Sequence, residues 1–269
     1  MDLKLSTVSV IIPCFKCMGT IDRALNSIKE QSFKPLEVIL IEDCSADGTL
    51  EYLTETKKKY SDFFEITVLA LEKNVGAGGA RNFGLQQAKG KYIAFLDADD
   101  FWHPQKLQII ISTMEERNIK IMGHAHTLYE NCNDTFLQKD LSNNLKSISF
   151  YFQALSNFAV TPSVVIRRDI IELFNEKMRY AEDHELFTRL AYKNGLFFLD
   201  IPLVTLGRTP LSPGGLSQHR WKMRKGELYM YFQFYTLSKK MIFVIPVFMM
   251  FSLLKHIRRE ALCLKDSLL

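Results

Sequence analysis

Three short, almost wholly apolar runs that end on a proline or on acids constrain this chain more than anything else in it. Val8-Ser9-Val10-Ile11-Ile12 stops at Pro13, Glu37-Val38-Ile39-Leu40-Ile41 runs into Glu42-Asp43, and Tyr92-Ile93-Ala94-Phe95-Leu96 runs into Asp97-Ala98-Asp99-Asp100. Strands that are apolar at nearly every position, rather than at alternate ones, are buried on both faces and belong to a sheet covered by helices. The intervening segments agree: residues 20–31 carry Ile21, Ala24, Leu25 and Ile28 at helical spacing, and a helix over 49–60 follows the turn-forming Ser45-Ala46-Asp47-Gly48. A strand over 65–71 and a helix over 80–89, separated by glycine-rich residues 76–79, complete an α/β alternation. This alternation predicts a mostly parallel central sheet flanked by helices.

Further along, a helix is expected from Pro104 to near Asn118, then strands over 119–125, 163–166 and 196–199, with a helix over 184–194. Residues 131–144 are polar and irregular and read as an insertion or mobile loop. The 269 residues are 47 % hydrophobic, enough for one large domain with an appendage, and a net charge of +4 is too mild to imply nucleic-acid binding. Five cysteines at irregular spacing suggest no disulfide framework, and Met1-Asp2-Leu3-Lys4 enters a strand without a secretory pattern, so a reducing cytoplasmic setting is expected.

Ligands of an open α/β sheet bind beyond the carboxyl ends of its strands. Parallel strands would bring Pro13-Cys14-Phe15, Glu42-Asp43 and Asp97-Ala98-Asp99-Asp100 to one mouth. Gathered carboxylates raise one another's pKa unless a cation compensates. Hard oxygen ligands favour Mg²⁺ or Mn²⁺, and the alternating pair Asp97 and Asp99 leaves coordination positions for water and phosphate oxygens. The bland alternative is that Asp99 or Asp100 caps the helix near Pro104. Asn74-Val75-Gly76-Ala77-Gly78-Gly79-Ala80-Arg81-Asn82 offers backbone amides and a guanidinium to an anionic group. Its place after the third strand, and an arginine where a dinucleotide fingerprint needs Gly or Ala, argue against a Rossmann cofactor site.

Taken together, residues 9–15 (SVIIPCF), 38–49 (VILIEDCSADGT), 74–84 (NVGAGGARNFG) and 92–100 (YIAFLDADD), followed by Glu182-Asp183, resemble the family 2 glycosyltransferases of the GT-A fold, an inverting class of bacterial surface-polysaccharide assembly. The resemblance covers most of residues 8–210. It implies a catalytic domain over 1–218, with a nucleotide-sugar half at 1–100 and an acceptor half at 101–218. It places Pro13 and Phe15 at the nucleobase, Asp43 on the base, and Arg81 near ribose or phosphate. Asp97 and Asp99 match the Asp-x-Asp motif with Ala98 between them, and Asp99 is the expected direct ligand of Mn²⁺ or Mg²⁺. Glu182 and Asp183 match the acidic pair in which the aspartate is the general base; without the family pattern they would read as an acidic helix start. The donor would be a UDP-sugar by default, and the acceptor a glycan or lipid-linked hydroxyl. The chain departs from many relatives after its last core strand, where Gly207-Arg208-Thr209-Pro210 replaces a Tyr-Arg pair followed by His.

Three rival readings remain at this stage. Cys14-Phe15-Lys16-Cys17 between a strand and a helix is the setting of a thioredoxin-like redox pair. A nucleotidyltransferase shares the acidic metal chemistry but needs a glycine-rich basic loop after its first strand. A non-catalytic sugar-nucleotide-binding module would differ only in lacking turnover. His124 and His126 share one side of a strand without a nearby acid and read as structural.

The tail, residues 219–269, is expected to be helical. Its apolar run from Met241 to Leu254 would span about 21 Å, short of the roughly 30 Å hydrocarbon core, and contains Pro246. Lys239, Lys240, Lys255, Arg258 and Arg259 bracket it. A helix lying on the anionic inner face of the cytoplasmic membrane through residues 219–259 is expected, with packing on the catalytic domain or a homodimer partner as the alternative. Gly214-Gly215-Leu216-Ser217 is expected to close over a bound ligand.

Overall fold

The computed structural model describes residues 7–129, 141–209 and 218–266. Of residues 131–144, expected as an insertion or mobile loop, 131–140 lie outside the described residues and 141–144 form a short helix instead; the Gly214–Ser217 segment, expected to close over a ligand, also lies outside them. The first half alternates as the apolar pattern predicts: β1 Val8–Cys14, α1 Ile21–Lys29, β2 Glu37–Glu42, α2 Thr49–Tyr60, β3 Glu65–Ala70, α3 Gly76–Gln87 and β4 Tyr92–Phe95. The predicted helical stripe of α1 is its buried face, with Ile21, Ala24, Leu25 and Ile28 all inaccessible. Then come β5 Phe101–Trp102, α4 Lys106–Glu116, β6 Ile121–Leu128, α5 Leu141–Asn144, β7 Leu145–Ile148, α6 Phe150–Leu155, β8 Val165–Arg167, α7 Glu182–Asn194 and β9 Leu196–Leu206.

The strands form one sheet in the order β3-β2-β1-β4-β8-β6-β9-β5, with β7 also pairing with β9. Neighbours from β3 to β4 are parallel, as are β6 and β9. The pairs β4 with β8, β6 with β8, β5 with β9 and β7 with β9 are antiparallel. The expectation of a mostly parallel sheet therefore holds for the first half, and the sheet as a whole is mixed. Apolar patterning reports that a strand is buried, not which way it runs, and three-residue β8 and two-residue β5 carry no directional signal of their own.

Separate apolar clusters lie on the two faces of the sheet, one including α1 and α4, the other α3 and α7. A third joins α6 to the C-terminal helices through Ala154, Met230, Tyr231, Phe234, Ile245 and Phe248. Each fully buried large side chain of this kind contributes about 1.5–3 kcal/mol. The tail is α8 Arg220–Leu237, a 3-10 turn Lys239–Phe243 and α9 Ile245–Asp266, so its helical character is as expected. The Met241–Leu254 run is not one uninterrupted helix, however. It divides at Val244, and Pro246 falls in the first turn of α9, where its missing N–H forfeits no intrahelical bond. Ile245, Phe248 and Ser252 turn inward, while Phe243, Val247, Met250 and Leu254 stay exposed. Among the described residues no helix is long and apolar enough to cross a membrane.

Candidate active site

The parallel strands β2, β1 and β4 end side by side, and the residues just beyond them form one wall of a cleft of about 520 Å³. Pro13, Phe15, Asp43, Arg81, Asp97, Ala98, Asp99, Glu182 and Asp183, the residues expected to serve donor, metal and base, all line it. The facing wall comes from Asn157 to Pro162, from Tyr180 and Ala181 ahead of α7, and from Leu206, Arg208 and Thr209 at the end of β9. Phe15 leaves half of its surface exposed at the cleft, an open aromatic face of the kind a nucleobase stacks on.

Asp43 is engaged within the protein. Its two oxygens accept N–H bonds from Val75 at 2.7 Å and Gly76 at 2.9 Å, and burial raises its carboxyl against the pull of those amides. The sequence reading offers these amides to a ligand anion, whereas the anion at this end of α3 is Asp43 itself. The glycine-rich stretch is the first turn of α3, and Gly78 has a packing reason: a Cβ there would stand 2.9 Å from Glu182 Cγ.

Arg81 is buried between two acidic groups. One nitrogen donates to Asp97 Oδ1 at 2.5 Å and the other lies 3.9 Å from Glu182 Oε1. Burial disfavours its charge, but the Asp97 and Glu182 carboxylates outweigh burial and hold it above its ordinary value.

The acids after β4 do not cap α4, whose N-cap is Gln105 with no side-chain cap bond. The capping alternative is thereby overturned. Asp100 Oδ1 accepts from Gly207 N at 2.9 Å, and Asp99 Oδ2 pairs with Arg208 Nε at 2.8 Å. Gly207 is required because a Cβ there would meet the Asp99 carbonyl oxygen at 1.8 Å. Arg23, 5.2 and 5.3 Å from the centroids of the edge-to-face rings of Phe101 and Tyr129, donates to that same carbonyl. Burial, then Asp97, raises the Asp99 carboxyl; burial, then Asp97 and Asp99, pushes Asp100 up to about 8.

This donor set fits a hard divalent ion. Hard oxygens and crowded negative charge are what such an ion relieves. Among the described residues no three His, Cys, Asp or Glu side chains are arranged about one point.

Glu182 and Asp183 open α7, directly after Ala181 in the left-handed region at φ 59°. That conformation costs a non-glycine residue roughly 1–2 kcal/mol, and such residues concentrate at functional sites. Asp183 Oδ2 accepts from Asn157 Nδ2 at 3.1 Å and Thr161 Oγ1 at 3.2 Å, and Oδ1 accepts from His184 N at 2.8 Å. The carboxylate is oriented but only half-buried, so it is open to the cleft. Burial, then Asp183, pushes Glu182 up to about 7, with Arg81 opposing.

Sequence reasoning misses Asn157, Thr161, Arg23 and the pairing of Arg208 with Asp99. Arg208 was within reach of the end-of-strand rule that located the acids, since it follows β9. Asn157 and Thr161 sit 26 and 22 residues before Asp183 with no pattern linking them to it. The redox reading fails on geometry and charge. Cys14 and Cys17 are free and buried, and burial, then Cys17, pushes the Cys14 thiol well above its ordinary value. A redox nucleophile needs the opposite shift. His124, inaccessible and bonded to the Ala125 carbonyl at 2.7 Å, is a core residue.

Residues 9–174 match the family model for glycosyl transferase family 2. The chain belongs to this family. It is 31 % identical over 201 residues to the amylovoran biosynthesis glycosyltransferase AmsB of Erwinia amylovora, covering 72 % of this chain and 66 % of AmsB. It is 28 % identical over 219 residues to the UDP-Glc:alpha-D-GlcNAc-diphosphoundecaprenol beta-1,3-glucosyltransferase WfgD of Escherichia coli, covering 81 % and 82 %. The chain spans 66 %, 47 % and 31 % of three curated relatives it matches, less than two thirds of each. Among solved structures, the mannosyltransferase PcManGT of Pyrobaculum calidifontis, in complex with GDP-Man and Mn²⁺, shares the fold at a TM-score of 0.66 and 15 % identity, over 96 % of this chain and 76 % of that one.

Proposed function

We propose that this family 2 chain is an inverting glycosyltransferase that moves a sugar from a UDP-sugar to a hydroxyl of a lipid-linked glycan in surface-polysaccharide assembly. The observation that supports this most is the placement of an oriented, solvent-open carboxylate, Asp183, in the same cleft as the Asp97/Asp99 pair, with Arg81 between Asp97 and Glu182. Residues 1–100 supply the donor side, with Phe15 and Pro13 against the base and Asp43 shaping its pocket. Residues 101–218 supply the acceptor side.

Asp183 takes the proton of the acceptor hydroxyl as its oxygen bonds to the anomeric carbon, and the carbon–oxygen bond to UDP breaks with its electron pair leaving on the diphosphate. One displacement inverts the anomeric centre. Asp99 and Asp97 would hold a divalent cation, which when bound would supply positive charge for the departing diphosphate. Arg81 lies against Asp97 and Glu182, and Asp183, oriented by Asn157 and Thr161, is the carboxylate assigned to the acceptor proton. The UDP and lipid-linked assignments draw on the name of WfgD, whose alignment covers about four fifths of both chains.

A panel of UDP-, GDP- and dTDP-sugars tested for Mn²⁺-dependent sugar release checks the class directly. Turnover of a UDP-sugar is the expected result; binding without turnover would leave a sugar-nucleotide-binding module, and silence across the panel would end the reading.

The exposed face of α9 and the preceding turn serves, in this proposal, as a peripheral contact with the inner face of the cytoplasmic membrane. Phe243 is 82 % exposed, and Ile242, Val247, Met250 and Leu254 each expose more than half of their surface. Lys239 and Lys240 beside them suit anionic headgroups. Flotation with vesicles containing anionic lipid is expected to carry the wild-type chain, and Phe243→Glu with Met250→Glu is expected to stay at the bottom. Equal flotation would refute the contact, and a concentration-dependent dimer lost in the same variant would show a second copy on this face instead.

A further inference from the structure

The short helix α6 ends just before Asn157, one of the two side chains that hold Asp183 Oδ2. A helix leaves its last four carbonyls without intrahelical partners. In α6 the first of these, Phe152, is met by the Ser156 amide, and the other three are met by side chains from three different helices. His184 of α7 bonds the Gln153 carbonyl at 2.6 Å, Tyr231 of α8 donates to the Ala154 carbonyl at 3.0 Å, and Lys255 of α9 donates to the Leu155 carbonyl. Tyr231 and Lys255 are in turn tied together by Glu227, whose Oε1 accepts from both at 2.9 Å. Burial would raise the Glu227 carboxyl, but the Lys255 and Arg224 cations outweigh it and hold it below the ordinary carboxylate value.

The clamp reaches the cleft by a second route as well. The buried Gln153 side chain donates from Nε2 to Asn157 Oδ1 at 3.0 Å, which fixes the amide orientation of Asn157 and aims its Nδ2 at Asp183. Two helices beyond residue 219 thus hold the end of α6, and α6 holds the partner of the carboxylate.

We propose that Tyr231, Lys255 and Glu227 of the C-terminal helices are positioning residues for Asp183, acting through the α6 end and Asn157. The inference rests on Asp183 being the general base. It makes α8 and α9 part of the catalytic apparatus through three residues that do not line the cleft. It also implies that loosening α9 slows transfer without loosening the nucleotide, because the β1, β2 and β4 strand ends are untouched. A base moved by a fraction of its bond length loses rate steeply, up to about 100-fold for an ångström.

The test uses the full chain with Mn²⁺ and whichever of UDP-glucose, UDP-galactose and UDP-N-acetylglucosamine it turns over fastest, read as UDP release, with UDP affinity measured by calorimetry. Tyr231→Phe and Lys255→Met are expected to lower kcat by about 10- to 100-fold with donor KM and UDP affinity unchanged, and Lys255→Arg to recover most of the loss. Asn157→Ala is expected to match them, and the Asn157→Ala/Lys255→Met double variant to be no slower than the slower single one, because both cut the same path. Multiplying losses in the double variant, or a parallel fall in UDP affinity, would overturn the proposal. Unchanged kcat in Tyr231→Phe and Lys255→Met beside an inactive Asp183→Asn would overturn it alone, whereas a fully active Asp183→Asn would overturn the base assignment and the clamp together.

Discussion

Asp183→Asn is expected to lower kcat and kcat/KM together by about 10²- to 10⁴-fold, the range a general base contributes, while UDP affinity and thermal stability stay at wild-type values. The structure gives a reason for the selectivity. An asparagine oxygen still accepts the His184 amide now bonded at 2.8 Å, and the Thr161 hydroxyl can accept from the new amide where it now donates, so the backbone at the start of α7 keeps its tie. The capacity to take a proton is lost, together with the bond from Asn157 Nδ2, whose amide sense Gln153 fixes. Steady-state kinetics with calorimetric UDP titration checks both halves, and a variant that turned over normally would remove the base assignment.

Asp99→Ala is expected to abolish the gain in UDP affinity that Mn²⁺ provides to the wild-type chain, a loss exceeding the roughly 10- to 100-fold cost of removing even an outer-shell partner of a metal. Without metal the same variant is expected to bind UDP no worse than wild type, since Arg208 is released from its 2.8 Å pair with Asp99 and its charge becomes available to the diphosphate. Calorimetry with Mn²⁺ and with a chelator separates the two terms, and equal Mn²⁺ dependence in both proteins would remove Asp99 as a ligand. The effect of pH has a definite sign. Burial, then Asp97, raises the Asp99 carboxyl, so protons compete with the cation above the usual carboxylate range, and Mn²⁺ dependence weakens on acidification earlier than for an exposed pair.

The site was legible in the sequence to the extent that it is built from strand ends. Pro13, Phe15, Asp43, Asp97 and Asp99 follow the apolar runs of β1, β2 and β4, and a rule about where α/β sheets bind ligands brings them together without coordinates. Glu182 and Asp183 were legible only through the family pattern, because an acidic pair opening a helix is ordinary chemistry for a helix dipole. What holds these residues was not legible. Arg81 reads as a phosphate contact until its bond to Asp97 is seen, and Asp43 reads as free until Val75 and Gly76 are found donating to it.

The sequence by itself determined which segments are strands and helices in the first hundred residues, that the sheet is covered on both faces, and that acids gather at its carboxyl edge. Each of these follows from local periodicity or from residues adjacent in the chain. Only the tertiary structure decided that the second half of the sheet is mixed, that Asp100 is bound by Gly207 across 107 positions, that Arg208 faces Asp99, and that Tyr231 and Lys255 close the end of α6. Those contacts join residues far apart in the chain, and a side chain's type sets which partners it accepts but not which one the fold delivers.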